Sequence, residues 1–128
     1  MALQIHTSEL GDSCVQLTLT GEVDCATAPE LREAINDVLC NRAPSTVYID
    51  VAGITLLDST GIGTLVVAHR IARDLDIDLI VVNPNRFVAR LFGVLGVADL
   101  LGVSAEEAYV GDEPLWPVPA KPAVKAHR

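Results

Sequence analysis

The sequence predicts one α/β domain over residues 1–110: a small, mostly parallel sheet opened by an N-terminal hairpin, with about four strands and about four helices. Three observations carry this. The 128 residues are half apolar and one-fifth charged, a composition that buries a core, and the length fits a single domain. Two-residue alternation early in the chain gives way to helical spacing, and the two periods then take turns. A short unbroken apolar run, residues 78–82, has the look of a strand covered on both faces, as parallel strands are. Aromatic residues are few, so the core must be aliphatic.

The elements follow in order. Leu3, Ile5 and Thr7 alternate weakly and Val15 to Thr20 alternate cleanly, with the turn "GDS" between them predicting a hairpin. In "GEVDCATAPELREAINDVLC" the period changes, and Leu31, Ile35, Val38 and Leu39 mark one helical face. Thr27 followed by Glu30 reads as a capping box, with Pro29 in the first turn, where its missing N–H costs nothing. Val47–Val51 is the next strand, and a helix is predicted from about Thr60 to Arg73. After residues 78–82, Asn83, Pro84 and Asn85 open a helix with Val88, Leu91, Phe92 and Leu95 inward. Gly96 can stop it in a left-handed conformation. Ser104 and Glu107 form a second capping box before a last short helix. Residues 111–128, "GDEPLWPVPAKPAVKAHR", are rich in proline and keep no period, which predicts a mobile tail.

A net charge of −8, with acids outnumbering bases 17 to 9, argues against nucleic acid, whose binders cluster Lys and Arg. It would steer the protein toward a basic partner. Cys14, Cys25 and Cys40 fit no zinc spacing and no CxxC, so they read as reduced, partly buried thiols in a reducing compartment. No signal peptide and no membrane-length apolar run is legible, and a cytoplasmic monomer or weak dimer is expected.

The stretch "ITLLDSTGIG" asks whether Ser59 is a nucleophile, a helix cap or a modified residue. An aspartic-protease loop needs Asp followed directly by Thr or Ser and then Gly, and one residue intervenes here. No G-x-S-x-G elbow is present. His69 lies ten residues down the same predicted helix, about 15 Å away at ~1.5 Å per residue, too far to take a proton. "TGIGT" lacks the Lys of a P-loop and the third glycine of a dinucleotide fingerprint. Asp74, Asp76 and Asp78 read as a solvated face rather than a metal site. No enzyme, metal or cofactor is therefore predicted.

Ser59 as an N-cap would account for one residue but not for Gly61 and Gly63, each costing a helix up to ~1 kcal/mol against alanine. Bare backbone there suggests the close approach of a protein partner. A hydroxyl on such a rigid turn is also well presented for phosphorylation. The helix N-terminus tolerates the added anion, whereas a partner packed on the same spot, near the carboxylates of Asp58 and Asp24, would not.

Two motifs carry a resemblance to a known family. "LTGEVDCATAPELREAI" is similar to the G-E-hydrophobic-D loop of the bacterial anti-sigma factor antagonists of the STAS type, and "VYIDVAGITLLDSTGIGTLV" resembles their phosphorylated loop. The resemblance spans roughly Leu3 to Ala108 and implies a partner switch. The unmodified protein would bind an anti-sigma factor that is also a serine kinase, and so release a sigma factor. The kinase would then phosphorylate Ser59 with Mg-ATP and the complex would part, a PP2C-type phosphatase resetting it. Asp24 matches the acidic residue of the neighbouring loop, and Asp58, Thr60, Gly61 and Gly63 complete the partner-binding loop, with Thr60 a minor candidate acceptor. The tail after Gly111 departs from the family's common pattern. Oxidation of Cys25 is a minor alternative route of control. The competing reading is a STAS module that scaffolds a complex or binds a small ligand without a sigma-factor partner.

Overall fold

Alternation and hairpin appear as expected in the computed structural model, which describes residues 2–96, 109–110 and 113–114. Strand β1 (Leu3–Glu9) pairs antiparallel with β2 (Cys14–Val23), and β2 pairs parallel with β3 (Thr46–Leu57). Strand β4 (Asp78–Val82) pairs parallel with β3, giving the order β1-β2-β3-β4. Helix α1 (Ala28–Asp37) joins β2 to β3, α2 (Ser59–Asp74) joins β3 to β4, and α3 (Arg86–Leu95) follows β4. Tyr109–Val110 and Glu113–Pro114 form a separate antiparallel pair, so extended pairing continues past residue 111, where the sequence showed no period. The rest of the Pro-rich segment and the helix expected after Ser104 lie outside the described residues.

One face of the sheet is the core. Val15, Leu17, Leu19, Val47, Ile49, Val51, Leu79 and Val81 are all buried, in one cluster with Leu31, Ile35, Leu65, Val88 and Phe92 from the three helices. The opposite face carries Gln16, Thr18, Tyr48, Asp50, Ile80 and Val82, all half-buried. This corrects the expectation that residues 78–82 are covered on both sides. β4 is an edge strand, and its continuous apolar run hides a one-sided burial.

The helix termini differ from the sequence reading in instructive ways. Thr27 stands at the start of α1, but its hydroxyl does not cap the helix. It turns back, donating to the Glu22 carbonyl at 2.9 Å and accepting from the Asp24 amide at 3.0 Å. Beyond Asp37 the chain widens into a π-helical turn, Val38–Arg42, closed by the Ala43 amide donating to the Val38 carbonyl. Val38 and Leu39, at its start, are both in the core. Gly96 ends α3 at φ 72°, the left-handed stop its position implied.

Gly21 also needs glycine for its backbone. At φ 115° it sits beside a register shift between β2 and β3, and a side chain there would strike the Ala2 carbonyl. The extra twist of such bulges lets β2 and β3 keep pairing as far as Val23 and Leu57. Those two ends carry the candidate site.

Candidate functional site

Parallel pairing of Val23 with Leu57 places the next residues of the two chains, Asp24 and Asp58, side by side at the C-terminal end of the sheet. Loops cluster there in α/β folds and ligands commonly bind there. The Asp58 amide donates to the Val23 carbonyl at 3.2 Å, carrying the pairing one residue past the strand. So the two motifs singled out in the sequence, whose aspartates Asp24 and Asp58 stand 34 residues apart, form one surface.

Asp58, not Ser59, is the N-cap of α2. Its backbone is extended and its Oδ1 accepts from the Gly61 amide at 3.0 Å, while its carbonyl receives the Ile62 amide. Asp and Ser are both good caps, and the helix begins one residue earlier than expected. The correction changes what Ser59 is free to do. It occupies the first helical position, it is exposed, and among the described residues no hydrogen bond engages its hydroxyl. Thr60 is exposed beside it, and its carbonyl receives the Thr64 hydroxyl at 2.9 Å.

Asp24 organises the other loop. Its Oδ1 accepts from the amides of Thr27 at 3.1 Å and Ala26 at 2.9 Å, and its carbonyl receives the amides of Thr27 and Ala28. The Thr27 amide, and then the Ala26 amide and the Thr27 hydroxyl, hold the carboxyl below its ordinary value of 3.8 against the opposing pull of desolvation. A carboxylate with a lowered folded pKa supports the fold above its ordinary range and ceases to as the pH falls through the lowered value. The loop therefore keeps its charge at any neutral pH.

The two glycines of "TGIG" part company. Gly61 is buried, and a Cβ there would lie 2.6 Å from Val23 Cγ1 and 2.7 Å from Leu57 Cδ1. Its bare backbone is filled by this chain's own strand ends, which gives Gly61 a reason to be glycine apart from the partner contact expected of it. Gly63 is exposed and a Cβ there would meet nothing within 4 Å. Of the remaining candidates, Cys25 and Cys40 are exposed rather than partly buried, and Cys14 is half-buried. His69 is half-buried, with a pKa lowered by desolvation and then by Arg73. No group of residues that could hold a metal occurs among the described residues, and none of their helices is long and apolar enough to cross a membrane.

The sequence places Asn85 at the opening of α3 but does not show its second role. Its Oδ1 caps α3 by accepting from Val88, and its Nδ2 donates to the carbonyls of Ala52 and Ile54 at 3.2 and 2.7 Å. These bonds tie α3 to the stretch of β3 that runs beyond β4 toward Ser59. A cap residue is legible in a sequence; its second pair of bonds, some thirty residues back, is not.

A four-stranded sheet whose adjacent parallel ends present a helix-capping aspartate, a free serine and a second ordered acidic loop defines a small α/β interaction module. The chain belongs to the STAS domain family, whose profile matches residues 7–109. It is 27% identical over 107 residues to the anti-sigma-B factor antagonist of Listeria monocytogenes, covering 84% of this chain and 93% of that one. Among solved structures, an anti-sigma factor antagonist from Mycobacterium paratuberculosis superimposes with a TM-score of 0.66 at 19% identity, covering 83% and 90% of the two chains. The Bacillus cell fate determinant SpoIIAA in its phosphorylated form gives 0.62 at 21% identity, covering 82% and 96%. At these identities the two structures establish a shared fold.

Proposed function

We propose that this protein is an anti-sigma factor antagonist whose binding is switched by phosphorylation of Ser59. In its unmodified form it binds an anti-sigma factor that is also a serine kinase, and a sigma factor is released. The Ser59 hydroxyl attacks the γ-phosphorus of ATP held by that kinase, its proton passing to a kinase base. The bond to the bridging oxygen breaks and ADP leaves. A PP2C-type phosphatase hydrolyses the phosphoserine and restores binding. The chain itself contributes no catalysis and acts in the cytoplasm.

The observation that carries this reading is the division of labour between Asp58 and Ser59. The aspartate takes the capping bond, so the serine hydroxyl is left exposed and uncommitted, as a phosphoacceptor in an interface with the kinase would need to be. The named role of the Listeria relative supports the same reading. Phosphate adds about −1.5 to −2 charges next to Asp58 and Asp24. The helix N-terminus accommodates them, but an interface pressed on that turn would have to bury them.

The test is direct. With a purified serine-kinase anti-sigma factor from the same cell, wild type and Ser59→Ala should bind, Ser59→Glu should bind poorly, and mass mapping should find phosphate on Ser59. Stoichiometric phosphorylation of the Ser59→Ala protein would move the site elsewhere.

A further inference from the structure

Charge is sorted along this chain. Every arginine among the described residues lies on α1, the π-helical turn, α2 or α3, whereas β1 to β4 carry Glu9, Glu22, Asp50 and Asp78 and no Lys or Arg. Residues 115–128, "LWPVPAKPAVKAHR", are the reverse. They hold Lys121, Lys125 and Arg128 out of nine bases, and none of the 17 acids. The same segment carries the sole tryptophan, Trp116, and the prolines Pro117, Pro119 and Pro122.

The sheet face turned away from the three helices is the match for that segment. Its residues form continuous rows: the strand register sets Gln16, Tyr48 and Ile80 side by side, and Thr18, Asp50 and Val82 in the next row. Asp78 stands in the row on the other side. Tyr48, Ile80 and Val82 are half-buried, so a phenol ring and two branched side chains make an apolar centre flanked by two carboxylates. Asp50 accepts from the Ala52 amide and the Asn83 side chain, neutral donors that leave its charge in place.

We propose that residues 115–128 bind this face, with Trp116 laid against Tyr48, Ile80 and Val82 and the Lys121 and Lys125 cations set toward Asp50 and Asp78. An intramolecular ligand then replaces the mobile tail that the missing period suggests. Proline decides the mode of binding. Pro117, Pro119 and Pro122 lack the N–H that an added strand must donate, so the segment crosses the face instead of joining an edge. A Pro-rich chain already favours the polyproline II form, which docks on aromatic surfaces at low entropic cost. Three residues per turn bring Trp116, Pro119 and Pro122 to one side of it. At ~3.1 Å per residue the segment spans about 43 Å, against roughly 15 Å across four strands. Other occupants are worse matched in charge. Residues 97–108 carry Asp99, Glu106 and Glu107 and no base, and a second copy brings another net charge of −8. The inference uses none of the Ser59 site, so its failure leaves the switch reading intact.

Trp116, as the sole tryptophan, reports on this directly. In the full chain its emission should shift to shorter wavelength and lose acrylamide quenching relative to a free peptide of residues 115–128. Ile80→Lys should return both to the peptide's values, as should Lys121→Glu combined with Lys125→Glu, a charge reversal that leaves every core residue in place. Circular dichroism checks that each variant is folded; if Ile80→Lys is not, the charge reversal decides alone. A wild-type Trp116 as quenched and as red-shifted as the peptide's overturns the proposal. So does a shielded Trp116 that neither change releases, which would seat the segment elsewhere. A concentration-dependent dimer that Ile80→Lys abolishes, with Trp116 open in both proteins, gives the face to a second copy instead.

Discussion

Gly61 and Val23 lie so close that a Cβ on the glycine would stand 2.6 Å from Val23 Cγ1. The first turn of α2 is thereby seated on the end of β2, and the serine two residues before Gly61 inherits its position from that contact.

Gly61→Ala should therefore destabilise the domain by about 1–3 kcal/mol, the usual cost of overpacking, even though alanine is the better helix former by about 1 kcal/mol. Val23→Ala should recover part of the loss, so that in a double-mutant cycle the two changes cost less together than their sum. Chemical denaturation measures this. A Gly61→Ala protein as stable as wild type would mean the strand ends can give way, and the site would not be rigid.

Asp58→Ala removes the side-chain bond to the Gly61 amide and should cost about 0.5–2 kcal/mol, whereas Asp58→Asn keeps an acceptor oxygen and should cost little. Thermal denaturation of the pair separates capping from charge. Equal loss in both variants would show that the carboxylate's charge at the helix terminus, rather than its hydrogen bond, supports α2.

His69 supplies a pH dependence. Its folded pKa lies below the ordinary 6.5 because it is partly buried and faces Arg73. Between the lowered value and 6.5 the unfolded chain binds the proton more readily, so stability is full above pH 6.5 and falls as the pH drops through that window. His69→Gln should flatten the fall in a series of denaturation curves between pH 7 and pH 5. An unchanged slope would place its origin in another group.

Much of this fold is visible in the chain itself, because Val15, Leu17 and Leu19 alternate and because Leu31, Ile35, Leu65, Val88 and Phe92 recur at helical spacing before entering one core. The serine was equally visible, standing where an apolar run ends. What local patterns could not supply were preferences decided by distant atoms. Gly61 and Gly63 look alike in sequence, and only Val23, brought in across the sheet, tells them apart. Thr27 and Glu30 have the letters of a capping box, but the Glu22 carbonyl draws the threonine hydroxyl away. Asp58 and Ser59 are both competent caps, and the register of β3 with β2 decides between them.

Asn85 has a consequence beyond holding α3. Strand β3 outruns β4 after Asp50, and the carbonyls of Ala52 and Ile54 on that overhang are taken by the Asn85 amide. An overhang with free carbonyls is a template on which a foreign strand can add, the first step toward aggregation. A single side chain thus occupies acceptors on this margin of the sheet that would otherwise stand ready for a foreign strand.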